Sequence, residues 1–279
     1  HLSIPLPAEL YGQLRANSKG LDLANDSALA QLNQTAQQFA KHQWSAAPMG
    51  EHIQTNDTVT PQSIINPARH TDVVGYVQEA TTEQVEQALN NAQAVQDIWA
   101  RTAKDTRASY LLRAADLMEA RLEELMVLLC RESGKTYANA IAEVREAVDF
   151  LRYYATQMID LDANAEVEPL GTMLCISPWN FPLAIFTGQV AAALVAGNTV
   201  IAKPAEQTPL IAAQAIQILW QAGVPQAAVQ LMPGRGETVG AQLSAAEQVQ
   251  GIMFTGSTEV AKILQKTVAK RLSKNGESI

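Results

Sequence analysis

GTMLCISPWNFPLAIFTGQVAAALVAGNTVIAKP, residues 171–204, decides the fold. GTMLCISP is a short apolar run with no polar alternation, as a strand covered on both faces requires. A helical segment follows at about 183–195 and stops at Gly197-Asn198. TVIAKP is a second such run. Beyond it come a helix from Pro209 to Ala222 ended by Gly223, the run AVQLMPG, a short helix near 237–243, the run GIMFTG, and a helix from Thr258 to Arg271. Four buried-strand signals thus alternate with four helices, which predicts a parallel sheet with helices on each side. Ligands of such sheets bind outside the carboxyl ends of the strands. SPWNFP, AKPAE, MPGRG and FTGS all stand at those ends, so they are predicted to face one crevice.

Composition narrows the function. The chain has 279 residues, 47% hydrophobic and 17% charged, which is globular rather than disordered. A net charge of −8 and a pI near 5.1 argue against nucleic acid and against an anionic membrane surface. No apolar run approaches the roughly 18 residues of a membrane helix, and no secretory signal is evident. Two cysteines, Cys130 and Cys175, suit a reducing compartment. The histidines lack metal-ligand spacing, so no metal site is expected. The chain begins at His1 and ends in a polar tail, which reads as a piece of a longer protein.

Upstream, residues 1–50 read as a linker or arm with one surface helix. Asp26 or Ser27 would cap it, and Leu29, Leu32, Ala36 and Phe39 would share a face. Residues 63–81 read as two strands around an Asn-Pro turn. Thr81 or Thr82 caps the next helix. The segment DTRASYLLRAADLMEARLEELMVLLCRESGK reads as one long helix. Leu111, Ala115, Met118, Leu122, Leu125 and Leu129 form its apolar stripe, and Gly134 its stop. SGKT, at 133–136, is not a phosphate loop, because Leu129 stands where that loop needs its first glycine. A further helix runs from about Ala138 to Asp160.

At the crevice each residue has two readings. Glu206 can accept from two ribose hydroxyls with Lys203 beside it, or the two can form an exposed ion pair. PGRGETVG misses G-x-G-x-x-G by one place. Gly256, Ser257 and Thr258 open a helix whose free N–H groups suit a pyrophosphate, or they form an ordinary cap. Pro178 and Pro182 brace a loop that presents Asn180, whose amide could donate to an oxyanion. Trp179 offers a flat wall. Cys175 lies inside a strand with no activating cation, and Cys130 beside a helix stripe. Both read as core.

Together these residues resemble the aldehyde dehydrogenase superfamily. SPWNFP, AKPAEQTP, PGRGETVG and FTGSTEVA occur in its order and spacing, from about residue 63 onward. AEVREAVDFLRYYA, CISPWNFPLAIFTGQVAAALVAGN and LMPGRGETVGAQL look like the L-glutamate-γ-semialdehyde dehydrogenase part of the bifunctional bacterial proline utilization A family. The resemblance implies an aldehyde-dehydrogenase-like α/β fold. A Rossmann-type core at 169–279 would follow a helical part of the NAD-binding domain at 51–168, with the catalytic domain absent from this chain. It implies NAD as cofactor, with FAD only in a proline dehydrogenase part outside this chain. Asn180 would be the oxyanion-hole amide. Lys203 and Glu206 would hold the adenosine ribose, Glu206 disfavouring a 2′-phosphate. Ile176, Ser177, Pro178, Trp179, Ala205, Gly236, Gly240, Phe254, Thr255, Gly256, Ser257 and Val260 would line the cofactor. Phe181 and Glu143 would face the substrate. Ala261 replaces the family's usual glycine in GSTEVG.

The family's nucleophilic Cys and general-base Glu would lie downstream of residue 279, so the chain alone is expected to be inactive. The resemblance further implies a homo-oligomeric, bacterial cytoplasmic parent enzyme, with room for peripheral membrane attachment. Two rivals stand beside this reading: a nucleotide-binding or interaction fragment without catalysis, and a superfamily member acting on another aldehyde or an acyl phosphate.

Overall fold

Strand signals without polar alternation predict burial on both faces, and the structure delivers it for three of the four strands; the fourth, at the sheet edge, is buried only at its first residue, Val249. The chain is described by a computed structural model covering residues 4–54, 56, 58–161 and 167–271. A small sheet comprises β1 (Trp44–Ala46), β2 (Gln62–Ile65) and β3 (Val73–Val77), in the order β1-β3-β2. The main sheet comprises β4 (Thr172–Ile176), β5 (Val200–Lys203), β6 (Val229–Leu231) and β7 (Val249–Phe254). Its order is β6-β5-β4-β7, and every pairing is parallel.

The helices are α1 (Asp26–Gln38), α2 (Thr82–Arg101), α3 (Lys104–Ala120), α4 (Leu122–Ser133) and α5 (Tyr137–Asp160). Then follow α6 (Ala184–Val195), α7 (Pro209–Gln221), α8 (Ala241–Ala245) and α9 (Thr258–Val268). Successive side chains of a strand point to opposite faces. In β4, Met173 and Cys175 therefore join the core under α5, α6 and α7. Leu174 and Ile176 join Val85, Leu89 and Leu243 under α2 and α8. β4, β5 and β6 are thus covered on both sides, the edge strand β7 only in part, and the carboxyl ends are left for the crevice.

Several sequence expectations are corrected. The long helix is two, α3 and α4, broken at Arg121, whose backbone leaves helical values at φ −101° and ψ 17°. There the guanidinium reaches Glu124 at 2.8 Å and Gln214 of α7 at 2.6 Å, so tertiary bonds override a continuous apolar stripe. The segment near 237–243 begins as a π-type turn, Gly236–Gly240, before α8. α9 ends at Val268, and Arg271 turns back to the carbonyls of Val249 and Ser244.

The arm is more than a linker with a surface helix. Asn17 and Ser18 are buried, and Ser18 donates its N–H and hydroxyl to Asp149 of α5 at 2.9 and 2.8 Å. Asn25, rather than Asp26 or Ser27, caps α1 by accepting from two N–H groups. β1, unanticipated, pairs in parallel with β3, and Met49 exchanges backbone bonds with Leu231.

Two helices of the main core lack caps of their own and borrow them. Glu132, at the end of α4, accepts from Leu210 N–H at 2.6 Å and Ile211 N–H at 2.9 Å, at the start of α7. Glu143 of α5 does the same for α6. A carboxylate suits orphan N–H groups at a helix N-terminus. Yet burial pushes Glu132 up to about 8, against the pull of its two N–H donors. The folded chain therefore holds a proton there that the unfolded chain has released above its ordinary range. This contribution to stability is present at low pH and is lost as pH rises through about 8. Wild-type chain is expected to lose melting temperature between pH 5 and pH 8 more steeply than Glu132→Gln. Parallel slopes in a calorimetric pH series would refute this.

Candidate active site

The four predicted loops do converge at the carboxyl ends of the strands. β4 ends at Ile176, whose carbonyl accepts from Thr255 N–H at 3.1 Å and from the Gln189 amide at 3.2 Å. The same Gln189 amide donates to the Thr255 hydroxyl at 3.1 Å. One α6 side chain therefore ties the loop after β4 to the loop after β7. Ser177 is buried, with its hydroxyl left without a protein partner. Beyond Pro178, Trp179 is 57% exposed, and Asn180 and Phe181 are exposed too.

A second wall comes from β5 and the turn after β6. Lys203 is buried and donates to the Pro204 carbonyl at 3.0 Å. Burial lowers its pKa, while the carboxylates of Glu206, Glu237 and Glu79 act to raise it. Ala205 is half-buried and Glu206 exposed. Glu206 accepts from Gly236 N–H at 3.3 Å. A Cβ on Gly240 would meet Lys203 Cε at 3.5 Å, whereas one on Gly236 would meet nothing within 4 Å. The Gly236 turn is therefore open to an incoming group, and the Lys203 stem lines its floor.

The third wall is the start of α9. Ser257 caps it by accepting from Val260 N–H at 3.2 Å, and Thr255, Gly256 and Ser257 are exposed. A Cβ on Gly256 would sit 2.5 Å from the Phe254 ring, so any larger residue requires that half-buried ring to move. Val260 is 42% exposed on the first turn.

Glu143 stands apart from these walls. Its carboxylate is buried beneath the start of α6, accepting from Leu183 N–H at 3.2 Å and Ala184 N–H at 2.9 Å. Its partner is Lys135, 3.2 Å away, within the SGKT segment set aside above as a phosphate loop. The nearby Glu146 is exposed, and its pKa is raised by partial burial and by the Glu143 charge. Neither cysteine is poised for attack. Burial pushes the Cys130 thiol up to about 11, Lys135 opposing, and the Cys175 thiol up to about 12. Among the described residues, no helix is long and apolar enough to cross a membrane.

This arrangement has counterparts. The aldehyde dehydrogenase family pattern matches residues 53–275. Bifunctional protein PutA of Escherichia coli (strain K12) is 58% identical over 279 residues, covering 100% of this chain and 21% of that protein. The 1-pyrroline-5-carboxylate dehydrogenase of Anoxybacillus flavithermus (strain DSM 21510 / WK1) is 38% identical over 259 residues, covering 88% of this chain and 50% of that protein. Among solved structures, 1-pyrroline-5-carboxylate dehydrogenase from Thermus with bound NAD superimposes with a TM-score of 0.86 at 32% identity. It covers 91% of this chain and 52% of that one. The chain thus spans about a fifth of the PutA relatives' length and about half of the shorter dehydrogenases. With that pattern running through all four crevice loops, this chain belongs to the aldehyde dehydrogenase family.

Proposed function

We propose that this chain is the cofactor-binding part of an NAD-dependent L-glutamate-γ-semialdehyde dehydrogenase within a longer bifunctional proline-oxidising enzyme. The observation that carries the reading is the three-walled crevice. Glu206 is exposed at its mouth, the Lys203 stem is buried at its floor, the turn at Gly236 is open, and Thr255, Gly256 and Ser257 are exposed where α9 begins. A dinucleotide fits that set. Glu206 would exchange its bond to Gly236 for ribose hydroxyls, and its charge would repel a 2′-phosphate, favouring NAD over NADP. Gly256 lets the backbone approach a pyrophosphate at the helix N-terminus. Ile176, Ser177, Pro178 and Trp179 would form the wall along the nicotinamide half, with Ala205, Gly240, Phe254, Thr255 and Val260 completing the lining.

When bound, NAD supplies the hydride acceptor. The chain's own part is to orient it and to present the Asn180 amide to the oxygen of an aldehyde under attack. Phe181 would pack on the substrate. Glu143 would act on the substrate side only through the turn it supports. The attacking thiolate would come from elsewhere in the longer enzyme, as would FAD in its proline-oxidising part. That enzyme is read as a cytoplasmic homo-oligomer. One observation favours a narrower second reading, nucleotide binding without catalysis: both thiols here are held protonated.

The test is NADH formation from glutamate semialdehyde and short aliphatic aldehydes, by the whole enzyme and by the 279-residue chain. The whole enzyme is expected to prefer the semialdehyde and NAD, and the chain alone to bind NAD without turnover. Equal rates on simple aldehydes would remove the proposed substrate. Silence from both proteins would leave only nucleotide binding.

A further inference from the structure

Lys135 stands where α4 hands over to α5. Gly134 ends α4 in the left-handed region at φ +69°, a conformation glycine adopts without strain. Thr136 then caps α5 by accepting from Asn139 N–H. The single residue between stop and cap reaches the turn that carries Asn180. Its Nζ donates to the Asn180 carbonyl at 2.9 Å and lies 3.2 Å from Glu143 Oε1. It also sits 4.9 Å from the centroid of the Phe181 ring, inside the range of a cation–π contact. The Lys135 side chain is 13% exposed and that of Glu143 1%. The other Glu143 oxygen holds Leu183 N–H and Ala184 N–H. Residues 180–184 are therefore gripped from the protein side by one ammonium–carboxylate pair, while the Asn180 and Phe181 side chains stay open to the crevice.

The geometry points to Lys135 as a positioning residue for this turn: it fixes the backbone attitude from which the Asn180 amide and the Phe181 ring address the substrate. The role of Asn180 rests on the proposed function. The grip itself does not. A half-buried ammonium bonded to one carbonyl and ion-paired with one carboxylate loses little by reorganisation when the turn is loaded, and an oxyanion donor is effective only if its place is fixed beforehand.

Two substitutions test this. Lys135→Met keeps most of the stem and removes the charge and donors, while Lys135→Arg keeps a cation and donors. In the whole enzyme, Lys135→Met is expected to lower kcat about tenfold or more, with KM for NAD within about twofold. Lys135→Arg should recover most of the rate. In the 279-residue chain, hydrogen–deuterium exchange over residues 180–186 should quicken in Lys135→Met and stay slow in Lys135→Arg, with residues 172–176 unchanged in both. Unchanged local exchange in Lys135→Met overturns the proposal. So does acceleration that extends equally through β4, because Lys135 would then support the whole fold rather than the turn. Asn180→Ala in the same enzyme separates the two claims. If that variant also leaves kcat unaltered, the oxyanion reading fails, and the exchange comparison alone decides the role of Lys135.

Discussion

If the proposed function holds, replacing Asn180 by Ala is expected to lower kcat of the whole enzyme by about 10²–10³-fold, the loss typical of one missing oxyanion donor. The proline-braced loop exposes the side chain while its backbone carbonyl is already taken by Lys135. Truncation at Cβ therefore removes a donor without opening a core cavity. Melting temperature should move little, and KM for NAD should stay close to wild type, because the proposed cofactor walls are built by other residues. Steady-state kinetics with varied NAD at saturating semialdehyde would show the split. A fall in NAD affinity matching the fall in rate would instead assign Asn180 to cofactor binding.

The largest effect on stability is expected at Arg131. Its guanidinium holds both oxygens of Asp72, at 2.7 and 3.1 Å, and donates to the carbonyls of Phe39 and His42 at 2.9 and 2.7 Å. It also lies 5.2 Å from a ring centroid of Trp44. One buried side chain thus joins α4, the end of α1, β1 and the turn before β3. Arg131→Met leaves a carboxylate and two carbonyls without their donor, a loss of about 3–5 kcal/mol. In a domain of this size that is on the order of 10 °C in melting temperature. The hydrogen bond from Arg131 is the main cause holding the Asp72 carboxyl below its ordinary value. That contribution is present above the ordinary carboxylate range and is lost as pH falls through it. Arg131→Met should therefore flatten the acid limb of the stability curve as well as lower it. Calorimetry at neutral and acid pH reads both, and a variant within about 1 kcal/mol of wild type would contradict the argument.

The main sheet was legible because each of its strands is a mostly apolar run followed shortly by Pro or Gly, and local pattern alone marks that. The loops at its carboxyl ends were legible for the same reason. What escaped depends on partners distant in sequence. β1 is only Trp-Ser-Ala, and nothing in three residues announces a strand until β3 lies beside it. The break at Arg121 interrupts a stripe that runs on in good helical register, because Gln214 and Glu124 capture the guanidinium. Glu132 and Glu143 look like ordinary polar positions on helices. Their work is to cap two other helices, and no spacing rule connects a cap to a helix that begins 40 or more residues later. Lys135 was hidden by a misleading likeness. SGKT invites comparison with a phosphate loop, and its rejection left no cue that the lysine reaches Asn180.

The backbone exchange between Met49 and Leu231 has a consequence in time. A ribosome releases Met49 long before Leu231, and β4 and β5 must pair before β6 has an edge to join. Until then the strip around Met49 has no partner on the main sheet. This strip, although made early, is thus among the last to lock, and its attachment reports that the sheet is complete as far as β6. Partly made chains should carry this strip loose and open to proteases, and finished chains should not.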